Sequence, residues 1–363
     1  MSDTARTVAD LQQIALALPT PERDRLARIY HIVTTPGRLV PPPEMLPWIE
    51  KQFGSVAAVE EQQTVKVTNL ITLEGTLFNA LRASRPMEAR GVPEFEAEVA
   101  RTGDPFCHPE TGTPADVFGR VRGQHCITAS NVAKCDGFHG LVIFDEHDPL
   151  TFSREALADY VDTALRWARK AHNRDNAARY FFLMWNCLWR AGASIIHGHM
   201  QMTLSRGIHY ARVEALRRAA LLYRLAHGDN YFDDLTAVHR SLGLATSYGE
   251  VRVLAHLTPV KEKEVLLIGP RLDRDLTGAL YRALRALIDR LGVRSFNVAF
   301  YVRPIDAVQE DWTGFPALVR IVDRGDLTNR TADVGAMELY GSSVISSDPY
   351  RVIEALTAQT DSR

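Results

Sequence analysis

The feature that most narrows the fold is an order of elements that the chain writes twice. Residues 125–131 and 140–144 read as short strands joined by a Lys134-Cys-Asp-Gly137 turn, 153–172 as a helix, 180–185 as an apolar strand, and a strand follows through 197–204. Residues 251–258 and 265–269 again read as strands, 273–291 as a helix, and 296–303 and 317–322 as strands. Ser153 can cap the first helix, whose Leu157, Tyr160, Val161, Ala164, Leu165 and Ala168 form one apolar stripe. Leu276, Leu280, Leu284 and Leu287 form the stripe of the second. Strand, strand, helix, strand, strand in duplicate predicts an α+β fold built from a repeated unit.

Upstream, residues 64–86 read as a strand pair, and residues 1–60 as a helical appendage. Helical periodicity runs through 5–18, Thr20 can cap a helix opening at Pro21-Glu-Arg, and Val40-Pro-Pro-Pro-Glu is a stiff break. A helix is expected at 213–227.

Composition excludes several classes. The 363 residues are 46% hydrophobic and 24% charged with a net charge of −2, an ordinary globular balance without the basic excess of a nucleic-acid binder. No run approaches the roughly 18–20 apolar residues of a membrane span. The start, Met1-Ser-Asp-Thr-Ala-Arg, has no apolar core of a secretory signal, so a cytoplasmic protein is expected. Four cysteines (Cys107, Cys126, Cys135 and Cys187) do not make a disulfide scaffold in a chain this long.

The chemistry concentrates in Gly192-Ala-Ser-Ile-Ile-His-Gly-His-Met-Gln201. His197, His199 and Gln201 are spaced i, i+2, i+4, so an extended strand projects all three from one face. Ala191-Gly-Ala-Ser194 supplies a tight turn with free backbone N–H groups. Imidazole can attack phosphorus, and amide donors can hold the phosphoryl oxygens. A lone His-x-His is better explained by a polar edge strand; here Ser194, Gly192 and Asn186 accompany it and reverse that reading.

With those residues in view, the sequence resembles the galactose-1-phosphate uridylyltransferase family, the two-domain branch of the histidine-triad superfamily. The family has an Asn, then Gly-x-Ser, then His-Pro-His-x-Gln at the offsets of Asn186, Gly192, Ser194, His197, His199 and Gln201, with Gly198 in place of the Pro. Leu81-Arg-Ala-Ser-Arg-Pro86 resembles its His-Arg-Ala-Lys-Arg-Pro segment, Gly137-Phe-His-Gly through Asp148-Pro149 its Gly-x-His-Glu-Val and Pro-x-His stretch, and Val334-Gly-Ala-Met-Glu-Leu-Tyr-Gly341 its C-terminal sugar-contacting segment.

The resemblance implies a duplicated histidine-triad-like unit with catalytic residues 61–230 and a second unit at 231–363. It implies His199 as covalent nucleophile, with Gln201 and Ser194 on the phosphate oxygens. Arg82, Arg85, Asn131 and Asn186 would bind the nucleotide, and Glu338 the sugar. It also implies a structural zinc. The family often uses Cys-x-x-Cys with two histidines; here Asp104-Pro-Phe-Cys107 leaves Asp104, Cys107, His147 and His197, a legal tetrahedral set. His108, Cys126, Cys135 and His139 are spare candidates, and the family's second metal site has no counterpart in Asp311-Trp-Thr-Gly-Phe-Pro.

The expected activity is transfer of a nucleoside monophosphate between a nucleotide sugar and a sugar 1-phosphate. The alternatives are a phosphorylase resembling diadenosine tetraphosphate phosphorylase, which shares the flavour of Gly192–Gln201, and a non-catalytic nucleotide-binding protein. The resemblance further implies a homodimer with a shared site, for which Phe181, Phe182, Trp185 and Trp189 offer apolar surface or core in equal measure.

Overall fold

The structure is a computed structural model that describes residues 6–84, 99, 103–329 and 332–358. In chain order the strands are β1 (Tyr30–Arg38), β2 (Glu61–Asn69), β3 (Gly75–Phe78), β4 (Cys126–Ser130), β5 (Phe138–Phe144), β6 (Ala178–Cys187), β7 (His199–Arg206), β8 (Ala245–Tyr248), β9 (Val251–Ala255), β10 (Glu262–Gly269), β11 (Phe296–Tyr301), β12 (Ala317–Asp323) and β13 (Ser343–Ile345). Among the described residues they form a nine-stranded sheet, β4-β5-β7-β6-β11-β12-β10-β9-β8, and a four-stranded one, β1-β2-β3-β13.

The duplication is written in the strand order. Outward from the β6–β11 junction, one wing reads β6, β7, β5, β4 and the other β11, β12, β10, β9, with β8 added at the far edge. Every pairing in this sheet is antiparallel. The helices Arg154–Arg174 and Arg274–Leu291 pack against each other across one face. Ser153 caps the first as expected, accepting from Ala156 N–H, and Asp273 caps the second, accepting from Leu276 N–H.

Alternation then sorts the residues of the first wing. Val142, Phe144, Met200, Met202 and Leu204 are buried on the helix side, where Phe144 stacks on Tyr160 at 3.8 Å between ring centres. Gly140 lies under Trp167, whose ring would sit 2.7 Å from any Cβ there. His139, Leu141 and Ile143 fall on the opposite face, paired with Thr203, Gln201 and His199. On that face a second apolar cluster forms from Phe106, Ile127, Ala129, Leu141 and Ile143.

Several expectations change. Residues 1–60 are not purely helical: β1 pairs with β2 along its whole length, from Tyr30↔Asn69 to Arg38↔Glu61. The β-branched Ile-Val-Thr-Thr run of β1 finds in β2 a partner that local propensity cannot reveal. The nine-stranded sheet also runs unbroken across the 230/231 boundary, through the Asn297↔Asn186 pairing of β11 and β6. A helix unforeseen from sequence, Tyr231–Ser241, is capped by Asn230 and buries Tyr231, Phe232, Leu235 and Val238. Phe181 and Trp185 are core, with no exposed surface, so they do not supply a subunit interface.

That extra helix seals the small sheet to the second wing. His239 lies edge-on to Tyr30 of β1 and stacks over His256 beyond β9, and Asn69 of β2 donates to the Tyr231 hydroxyl at 2.8 Å. Nearby, Arg320 of β12 bridges Glu264 of β10 and Glu74 at 2.5 and 2.7 Å. Among the described residues, no helix is long and apolar enough to cross a membrane.

Burial, with the neighbouring His256 ring second, lowers the His239 pKa to about 3. The unfolded chain, with an ordinary value near 6.5, therefore binds a proton in acid that the native protein refuses. Stability should be lost as pH falls through this window, by roughly 2 kcal/mol from this one group between pH 6.5 and 5. Chemical denaturation of wild type and His239→Asn at the two pH values checks this. The variant is expected to show the flatter dependence; equal slopes would contradict it.

Candidate active site

β7 is entered through a tight turn. After β6 the chain turns through Leu188 at φ 67° and Gly192 at φ 92°, both left-handed, the first unusual for a leucine. β7 begins at His199, so His197 lies just ahead of the strand and not within it. The strand's length is limited here because His197 is held elsewhere: its Nε2 donates to the Phe144 carbonyl at 2.8 Å. Gly198 supplies the close approach, since a Cβ there would lie 2.4 Å from Phe144 Cδ2. The glycine that replaces the expected proline thus makes room for the Phe144 ring.

His199 is 5% exposed. Its Nδ1 donates to the His197 carbonyl at 2.8 Å, which leaves a lone pair on Nε2. Phe106 packs edge-on against the ring, 5.0 Å between centres. Burial lowers the pKa of both His199 and His197 and so favours neutral imidazole at each. A buried neutral imidazole with one nitrogen fixed and the other unprotonated is an arrangement suited to nucleophilic attack.

Asp104, Cys107, His147 and His197 converge, their donor atoms all within 4.8 Å of one another. Cys107 Sγ lies 3.5 Å from His147 Nδ1 and 3.6 Å from His197 Nδ1, and the two Nδ1 atoms are 3.1 Å apart. Asp104 oxygens lie 3.8 Å from each imidazole. A tetrahedral zinc with bonds of about 2.0–2.3 Å separates its ligand atoms by roughly 3.3–3.6 Å, so the four residues fit that ion. Because His197 Nε2 carries the proton given to Phe144, its Nδ1 can only accept, as a metal ligand must. The aspartate that stands where a cysteine was expected is inside the cluster. His139, Cys126 and Cys135 are not members of it.

The remaining site residues divide. Gln201 shares the His199 face of β7, and its Oε1 lies 3.0 Å from His139 Nε2, so the spare metal candidate His139 partners Gln201 instead. Asn131 reaches the same histidine at 3.2 Å, and its Oδ1 accepts the Ala133 N–H. Asn186 ends β6, and its Oδ1 accepts from Asn297 of the second wing at 2.8 Å. Asn297 also receives Arg324, whose guanidinium grips Asp333 through two bonds. Phe106, His139 and Asn297 were not foreseen for these roles: each acts across strands or loops with no local pattern.

Ser194 is exposed in the turn, and Arg82 is exposed after β3. Arg85 lies outside the described residues. Glu338 caps its own helix by accepting the Gly335 N–H and lines a cavity of about 480 Å³ on the second wing with Asn297, Arg320 and Lys261. In the Asp311 segment, Arg217 donates to the Asp311 carbonyl and pairs with Glu214.

Comparison with solved structures places this architecture. An ADP-glucose phosphorylase from Arabidopsis thaliana with bound ADP-glucose superposes with a TM-score of 0.62 at 16% identity, covering 80% of this chain and 97% of that one. The fold is shared with these enzymes. A GalT-like protein from the same plant gives 0.60 at 15% identity (81% and 99% covered), and a uridylyltransferase 0.56 at 16% (81% and 98%). No family model and no curated protein sequence matches the chain.

Gly198→Ala should force the Phe144 ring off Tyr160 and destabilise the protein by about 1–3 kcal/mol, the usual range for overpacking. Trimming the ring in a Gly198→Ala, Phe144→Leu double variant should recover part of that loss. Thermal unfolding of the three proteins checks it, and an unperturbed Gly198→Ala would contradict the contact.

Proposed function

We propose that this chain is a nucleotidyltransferase that moves a nucleoside monophosphate between a nucleotide sugar and a phosphorylated acceptor through a nucleotidyl-His199 intermediate. The observation that carries the reading is the hydrogen bond from His199 Nδ1 to the His197 carbonyl. In the first step His199 Nε2 bonds to the α-phosphorus, the bond from that phosphorus to the bridging oxygen breaks, and the sugar phosphate departs. His199 keeps its Nδ1 proton, so the ring becomes a cationic phosphoramidate whose charge the His197 carbonyl stabilises. An oxygen of the incoming phosphate then attacks the same phosphorus, and His199 leaves neutral.

Gln201 and Ser194 would hold the phosphoryl oxygens, Arg82 and Arg85 the diphosphate, and Asn131 and Asn186 the nucleotide. Asp104, Cys107, His147 and His197 would hold a structural zinc. Its contribution is to tie the loop before β4 to the residue that orients His199.

The phosphorylase reading shares the first step and differs only in taking inorganic phosphate as acceptor. It is kept because the fold also serves an ADP-glucose phosphorylase. A homodimer fits the Glu338 segment, where Met337, Leu339 and Tyr340 are 47%, 63% and 88% exposed and offer apolar surface to a second copy. Glu338 would then meet the sugar at the partner's site.

His199→Gly should abolish turnover of nucleotide sugars while keeping the fold, and added imidazole should restore part of it; near-normal turnover without imidazole would refute the assignment. Elemental analysis of purified wild-type protein should give about one zinc per chain, as in a fully protein-ligated site, and much less in Cys107→Ser. Metal-free protein with full stability would contradict the structural ion.

A further inference from the structure

His139 lies on β5 opposite Thr203 and diagonal to Gln201, on the face that carries His199. Its two ring nitrogens have different partners. The Cys135 main-chain N–H points at Nδ1 from 3.2 Å. A backbone N–H can only donate, so Nδ1 accepts and the ring's single proton sits on Nε2. That nitrogen is 3.0 Å from Gln201 Oε1 and donates to it. Burial lowers the His139 pKa, which keeps the ring in this neutral form.

The surrounding turn is itself pinned. The Tyr210 hydroxyl lies 2.6 Å from Asp136 and 2.9 Å from Thr203, and Lys134 donates to the His139 carbonyl at 3.1 Å and to the Ser130 hydroxyl at 2.6 Å. His139 therefore presents its Nε2–H from a fixed place.

We propose that His139 is a positioning residue: by donating to Gln201 Oε1 it sets the orientation of the Gln201 amide, so that the –NH₂ group and not the oxygen meets the phosphoryl oxygens. This rests on the nucleotidyl-transfer reading above. A primary amide rotated by half a turn keeps its shape and reverses its polarity. Without a donor on its oxygen, Gln201 can turn that oxygen toward an anionic phosphate, where it repels. The Asn131 amide nitrogen, 3.2 Å from the same Nε2, faces an N–H and makes no bond there, so its donors remain for a ligand.

Three variants test the assignment. In His139→Phe the rate of covalent nucleotidylation under single-turnover conditions should fall on the order of 10²–10³-fold, the cost of one misplaced oxyanion donor, with a much smaller change in nucleotide Kd. His139→Gln, which can present an N–H from a similar place, should recover most of the rate. In a Gln201→Ala background His139→Phe should cost little more, because both changes remove one unit. Multiplying losses would overturn the proposal.

Nitrogen NMR reads the bond with no reference to turnover. It should show the Nε2–H tautomer of His139 and Gln201 side-chain amide signals that move in His139→Phe. An Nδ1–H tautomer overturns the positioning role whatever the activity. A wild-type protein with the Nε2–H tautomer that forms no adduct with any nucleotide substrate overturns the transfer reading instead.

Discussion

The site depends on one residue serving two elements at once. His197 donates from Nε2 to the Phe144 carbonyl, offers Nδ1 to the Asp104–Cys107–His147 cluster, and gives its own carbonyl to His199 Nδ1. The first bond ties the start of β7 to β5, the second ties it to the loop before β4, and the third sets the tautomer of His199. Each bond uses a different atom, so none competes with another. The loop in turn brings Phe106 against the His199 ring and closes the apolar cluster on that face. Moving His197 would loosen the Asp104–Cys107–His147 cluster and His199 together.

The duplication explains how β7 is kept in place. β7 lies between β5 and β6, and β6 is paired in turn with β11 of the other wing. The second wing carries Asn297, which holds Asn186 and is itself held by Arg324. Asn186 of one wing is thus oriented by a chain of side chains from the other. The two long helices pack against the far face of the sheet, opposite the one that carries His199 and the Phe106 cluster.

The legible part of this arrangement is the part with short-range period. His199 and Gln201 share a face because a strand alternates, and the helices at Arg154–Arg174 and Arg274–Leu291 announced themselves by stripe and cap. The metal cluster joins residues 40 and 90 positions apart in Cys107–His147 and Cys107–His197, and it was reachable through the resemblance alone. His139 looked like a spare ligand because a histidine beside a cysteine carries no sign of register. Only the β5–β7 pairing shows that it faces Gln201. Asn297 and Phe106 had no signal in their own neighbourhoods, and β1 was hidden by the proline-rich run that follows it.

The central claim is that a nucleotide passes through a covalent bond to His199 Nε2. Intact-mass measurement after incubation with a panel of nucleotide sugars and dinucleotides, followed by peptide mapping, reads that bond directly. The account predicts an added nucleoside monophosphate, acid-labile as a phosphoramidate, on the peptide containing His199, and its loss on adding sugar 1-phosphate or inorganic phosphate. An adduct on His197, or turnover with no adduct at any stage, would contradict it.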